Sequence, residues 1–175
     1  MNHQYTIEML TELIAVRRDG EQGFRTCAEY VRSERLKRIF MMHACECAEA
    51  IRELQGLVRQ LGGDPEGSST ALRRTFSGAA HRGWDNLRAA LARDEDGAIL
   101  DECEHGESRA LEIYRNALDD PFPDFVRGVV LRQFEGVMSN HDQIRDIRNR
   151  RPIRESSGDE HSRCAGTTTL EPNFR

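Results

Sequence analysis

A run of acidic and histidine side chains, ECEHGE at residues 102–107, interrupts a stretch of sequence that otherwise has the pattern of a helix. Carboxylate oxygens and imidazole nitrogens together suit iron or manganese. The same side chains also serve as solvated surface charges or as partners of a buried cation. An ionised carboxylate inside a protein must be paired, hydrogen-bonded or bound to a metal, so the face on which each side chain lies decides between these roles.

At about 100° per residue, the side chains of this run fall on different faces of the predicted helix. Glu107 lies inside the apolar stripe, Glu104 borders it and His105 points away. Glu107 and Glu104 are therefore candidate ligands, and His105 is not.

Polar side chains also fall inside the apolar stripes of three other predicted helices. They are Glu21 in the first helix, His43 in the second, and Gln133 and His141 in the fourth. Counted outward from the connecting turns, Glu21, His43, Glu107 and Gln133 reach about the same height, and His141 lies about two turns deeper. The pattern predicts a polar layer to which all four helices contribute.

The helices that would hold this layer are four long segments with apolar residues at helical spacing, at residues 4–31, 35–61, 97–118 and 123–149. Ser33 is expected to cap the second helix, and Pro121 and Pro123 to separate the third from the fourth. Short connections make the members of each pair antiparallel. We expect an all-α, up-down four-helix bundle over residues 1–150.

The segment between the second and third helices is too long for a hairpin turn, and it predicts a crossover with a short extra helix at residues 79–92. Trp84 is expected to pack this crossover onto the bundle. Residues 151–175 are polar and lack periodicity, which predicts a disordered tail.

Composition limits the classes of function. Charged residues make up 31% of the chain and aromatic residues 6%, and the net charge of −5 argues against a general nucleic-acid binder. The first residues lack the apolar core of a signal peptide, and no stretch approaches 18 apolar residues, so we expect a cytoplasmic protein without a membrane partner. Five cysteines without a CxxC pair indicate reduced thiols.

Five segments, DGEQGF, LGGDPE, HRGW, ECEHGE and NHDQI, resemble in this order a bacterial family of ferritin-like four-helix-bundle proteins classed as a domain of unknown function. The resemblance spans about residues 4–150, and HRGW and ECEHGE are its most specific parts. It implies a ferritin-like bundle with a metal-handling or stress-related role, but no settled reaction. By position, the polar signature residues of the family fall on Glu21, His81, Glu104, Glu107 and His141. His43 is supported by periodicity alone.

Three functions remain open, and the sequence assigns no catalytic residue to any of them. The first is a site for iron or manganese, with oxygen ligands from Glu21, Glu104 and Glu107 and a nitrogen ligand from His43 or His141.

The second is a metal-free interaction protein, whose inner charges form a satisfied network and whose arginine-rich outer faces meet a partner. The lack of any Glu-x-x-His, the motif by which ferritin-like bundles hold their metal pair, favours it. Self-association into a homo-oligomer through the helix faces is a separate expectation. The third is redox sensing by Cys45, which points away from the apolar stripe.

Overall fold

A computed structural model describes residues 3–66 and 96–150, which form four helices without a strand. The helices are α1 (His3–Tyr30), α2 (Glu34–Gln60), α3 (Asp96–Leu118) and α4 (Asp124–Asn149). The all-α prediction is confirmed for these residues, and the predicted helix bounds agree with the structure to within one residue. The predicted extra helix at residues 79–92, with His81 and Trp84, and the predicted disordered tail at residues 151–175 lie outside the described residues.

The ends of α2 show why the sequence stops and starts helices where it does. Ser33 caps the N-terminus as predicted, because its side-chain oxygen accepts a hydrogen bond from the Leu36 amide. At the C-terminus, Gly62 adopts a φ of +83°, which favours glycine. Its amide donates to the carbonyl of Arg59, and the next amide donates to Val58, which together form a Schellman motif.

Long-range contacts give the directions of the helices. The backbone amide of Arg32, just after α1, donates to Asp96 at the start of α3 (2.9 Å), so α3 runs antiparallel to α1. The short connections make α2 antiparallel to α1 and α4 antiparallel to α3. The directions are therefore up, down, down, up, which differs from the strict alternation of an up-down bundle. In this order α2 ends at the opposite end of the bundle from the start of α3. The two helices must therefore be joined by a long connection, which the sequence provides.

Two apolar clusters fill the bundle, and a layer of buried polar side chains lies between them. The cluster nearer the α3–α4 turn contains Leu10, Leu13, Ile14, Leu54, Val58, Val126 and Val130 among others. The cluster nearer the α1–α2 turn contains Phe24, Cys27, Phe40, Ile99, Leu100, Cys103 and Ile144 among others. Among the described residues, no helix is long and apolar enough to cross a membrane.

Candidate functional site

The guanidinium group of Arg17 lies at the centre of the polar layer. Arg17 is only 5% exposed. Its Nε donates to the hydroxyl of Tyr114 (2.9 Å), and one Nη donates to the backbone carbonyl of Gln133 (3.1 Å). The other Nη lies 3.8 Å from the sulfur of Cys47. Burial alone would lower the pKa of Arg17, but the facing Tyr114, Cys47 and Glu107 groups raise it, so the side chain stays charged.

A chain of hydrogen bonds connects Arg17 to the protein surface. The Tyr114 hydroxyl donates to Oε1 of Gln133 (2.7 Å), and the Gln133 amide donates to the backbone carbonyl of Ala50 (3.2 Å) and to Glu53 (2.9 Å). Glu53 also accepts from Arg132 (2.6 Å). Each side chain in this series of hydrogen bonds has a partner. These hydrogen bonds offset the cost of removing the polar groups from water on folding.

The second part of the layer surrounds His43, which is almost completely buried. Its Nδ1 lies 3.3 Å from Oε2 of Glu46, and its Nε2 lies 2.9 Å from Oε1 of Gln143. Asn140 donates to the same Glu46 oxygen (2.8 Å). The hydrogen bond from His43 is the main reason that the pKa of Glu46 is lowered. Both imidazole nitrogens are therefore engaged with oxygen atoms of the protein.

Glu107 is the exception in this layer. The residue is 2% exposed, and its Oε2 has no hydrogen-bond partner in the structure. Burial raises the pKa of Glu107 to about 7, although Arg17 and His43 act to lower it. A small cavity beside Glu107, also lined by Arg17, Gly20 and Cys47, has room for roughly one water molecule. Glu107 is thus a buried carboxyl group that can change its charge near neutral pH.

The five predicted metal ligands do not come together. Glu21 is partly exposed and forms an ion pair with Arg25 (2.9 Å), one turn further along the same helix. Glu104 pairs with Arg148 at the edge of the bundle. The Nε2 of His141 lies 3.1 Å from the hydroxyl of Ser108.

Only His43 and Glu107 of the five lie in the central layer. Within residues 3–66 and 96–150, no three His, Cys, Asp or Glu side chains are grouped so that they could hold a metal ion.

The structure also brings together residues that sequence reasoning did not. The hydrogen bonds join Arg17, Tyr114 and Gln133. Each of these residues lies in the apolar stripe of a different helix, and this shared position is the sequence signal that could have predicted their contact. Nothing in the sequence pairs Cys27 of α1 with Cys103 of α3, whose sulfur atoms are 3.3 Å apart. Cys45 is exposed, as predicted.

No curated protein matches this chain. Residues 5–120, which include α2, α3 and all but the first two residues of α1, match the model of a family described as a domain of unknown function (DUF2383). The expected resemblance to a domain-of-unknown-function family is therefore confirmed over these residues. Because the match covers more than half of the chain, the protein belongs to the DUF2383 family.

Proposed function

We propose that this protein is a metal-free helical bundle that acts by self-association, and that its buried polar layer holds the four helices in register. The proposal that the bundle is metal-free rests on the position of Arg17. A buried carboxylate is stabilised by a nearby cation. For Glu107 that cation is the Arg17 side chain, which acts to lower the pKa of Glu107, and each of its three nitrogen atoms faces an acceptor atom.

The donor set does not fit the predicted iron or manganese centre. Glu21 and Glu104 are each paired with an arginine near the surface, and both nitrogens of His43 already face oxygen atoms. A metal ligand needs a free lone pair, so binding at His43 would require these hydrogen bonds to break. The hydrogen bonds of the layer therefore favour the metal-free function.

Binding of iron or manganese is the second candidate function, and two observations favour it. The buried Oε2 of Glu107 lacks a hydrogen-bond partner, and such an oxygen is a ready ligand for a hard cation. The up, down, down, up order of the helices also supports a ferritin-like bundle, the fold class that commonly holds such metals.

Metal content and thermal stability distinguish the two functions. We expect protein purified without chelator to contain no stoichiometric transition metal, and its melting temperature to stay the same with Fe(II) or Mn(II) under anaerobic conditions. A ligand that binds only the folded state must raise that temperature. Glu49→Gln alters an exposed carboxylate of α2 and serves as the control. If metal raises the melting temperature of the wild type and of Glu49→Gln but not of Glu107→Gln, the metal-free function is wrong and the layer is a metal site.

The proposal that the protein self-associates rests on an apolar stripe on the outer face of α4. Leu131 and Met138 lie one heptad apart and are 45% and 44% exposed, and the partly buried Phe134 lies between them. Spacings of three and four residues place all three side chains on one face of a helix. Such a stripe suits packing against a second helix.

Charge complementarity supports a second copy of the same chain as the partner. In a two-fold antiparallel pair of α4 helices centred between residues 134 and 135, Leu131 meets Met138, and Arg145 meets Asp124. Asp142 and Arg145 form an ion pair within one chain (2.9 Å), so they already lie side by side on the surface.

Sedimentation velocity tests this interface. We expect the wild-type protein to form a dimer of the 20.0 kDa chain, and the double variant Leu131→Glu/Met138→Glu to sediment as a monomer, because four carboxylates would be brought into one apolar contact. Tyr30→Glu, which changes a 56% exposed aromatic side chain on α1, should leave the dimer intact. A wild-type protein that is monomeric at its highest soluble concentration would refute self-association. It would leave the hypothesis of a metal-free bundle unaffected.

A further inference from the structure

Two buried cysteines of α1 and α3 touch each other in the apolar cluster nearer the α1–α2 turn. The Sγ atoms of Cys27 and Cys103 are 3.3 Å apart although the residues are 76 positions apart in the chain. Both residues are fully buried, and both thiols are free. A disulfide bond has a sulfur–sulfur distance of about 2.0 Å, so the two sulfur atoms need to approach by little more than an ångström to become bonded.

The surroundings of the pair favour a bond between these two sulfur atoms rather than with other groups. Ile99, Leu100 and Phe24 belong to the same apolar cluster, so large reagents are excluded from the folded interior. The neighbouring contact of Asp96 with the amides of Arg32 and Ser33 holds the start of α3 against the end of α1 (2.9 and 3.3 Å). The helices are thus already aligned for the crosslink.

We propose that Cys27 and Cys103 form a covalent modification site, at which a low-molecular-weight disulfide such as oxidised glutathione produces an intramolecular disulfide that joins α1 to α3. The site is independent of the polar layer and of the α4 stripe. It therefore stands whether or not the proposed function is correct.

The reaction is thiol–disulfide exchange in two steps. One cysteine loses its proton, and its thiolate attacks a sulfur atom of oxidised glutathione, so that a mixed disulfide forms and one glutathione thiolate leaves. The second cysteine loses its proton and attacks the protein sulfur of the mixed disulfide, which closes the bond between Cys27 and Cys103. The second glutathione leaves as a thiolate, and both released thiolates take up protons. The two protein thiols are oxidised by two electrons, and oxidised glutathione is reduced to two thiols.

Burial controls the rate of this reaction. It raises the pKa of the Cys103 thiol well above the usual range, and the adjacent Cys27 raises it further, so little thiolate exists in the closed fold. Attack therefore follows local opening, which occurs most easily near helix ends. Cys27 lies in the last turn of α1, three residues before its end. We expect slow oxidation, and equally slow reduction once the bond is buried.

Peptide mapping detects the bond directly. Trypsin would release Cys27 in TCAEYVR (residues 26–32), Cys103 in DEDGAILDECEHGESR (residues 94–109), and Cys45 with Cys47 in IFMMHACECAEAIR (residues 39–52). After the full-length protein has equilibrated with oxidised and reduced glutathione and free thiols have been alkylated, we expect the first two peptides to be joined. The crosslink closes a long loop, so the melting temperature should rise by roughly 10 °C.

Two variants serve as controls. Cys103→Ala should abolish both the joined peptide and the rise in melting temperature, whereas Cys45→Ala, which removes an exposed thiol, should leave both unchanged. If Cys103→Ala does not fold, the joined peptide of the wild-type protein remains a sufficient readout. The proposal is overturned if both thiols are still free in native buffer and after unfolding in urea and refolding in the same redox buffer, while Cys45 carries glutathione.

Discussion

Replacing Arg17 by methionine is expected to lower the free energy of unfolding by about 3–5 kcal/mol, because two buried hydrogen bonds to a charged group are lost and each contributes about 1.5–3 kcal/mol. Methionine fills much of the same volume, so the loss is chiefly electrostatic. The change leaves the Gln133 carbonyl without its donor from α1 and the Tyr114 hydroxyl with one partner fewer. Urea denaturation followed by circular dichroism measures the difference.

The neighbouring residue provides a matched control. Arg18 is on the same helix, but its side chain is exposed and pairs with exposed Glu66 (2.9 Å). Because surface ion pairs contribute little, Arg18→Met should change the free energy of unfolding by less than about 1 kcal/mol. If the two variants lost equal stability, the layer would not depend on the buried guanidinium, and the main support for the metal-free function would be lost.

The helices could be predicted from sequence because amphipathic periodicity is a local property. Each stripe repeats over several turns, and the boundaries carry chemical signals of their own, such as the Ser33 cap and Pro123 before α4. The polar layer was also predictable in outline, since His43, Glu107 and Gln133 lie in the stripes and are buried. Their burial follows from position on the helix alone.

The partners within the layer could not be predicted in the same way. A helical wheel gives the direction of a Cβ atom, but an arginine side chain extends several bonds beyond it, and rotamers decide where its charge lies. Arg17 therefore reaches α3 and α4, while Glu21, which was predicted to lie inside the same stripe, turns to Arg25.

The contact between Cys27 and Cys103 required the relative height of α1 and α3. A long connection leaves that height undetermined, and Asp96 sets it through the amides after α1.

Glu107→Gln is expected to change how stability depends on pH. The folded state raises the pKa of Glu107 to about 7 from an ordinary value of 4.5, so the folded protein holds this proton more tightly than the unfolded chain does. The resulting stabilisation is fully present below about pH 4.5 and is lost as the pH rises through about 7. Glutamine resembles the protonated acid and does not ionise. The variant should therefore gain about 3 kcal/mol relative to the wild-type protein between pH 4.5 and pH 8.

The measurement is the difference in unfolding free energy between the two proteins at several pH values, since the contributions of groups common to both, such as Glu46, then largely cancel. Glu112→Gln, a change at an exposed carboxylate of the same helix, should show no comparable trend. A difference that does not vary with pH would mean that Glu107 is not a buried titrating group. A trend of the opposite sign would mean that Glu107 is ionised against a cation stronger than Arg17, because a bound metal lowers the pKa of its ligands. Iron or manganese binding would then become the better-supported function of the layer.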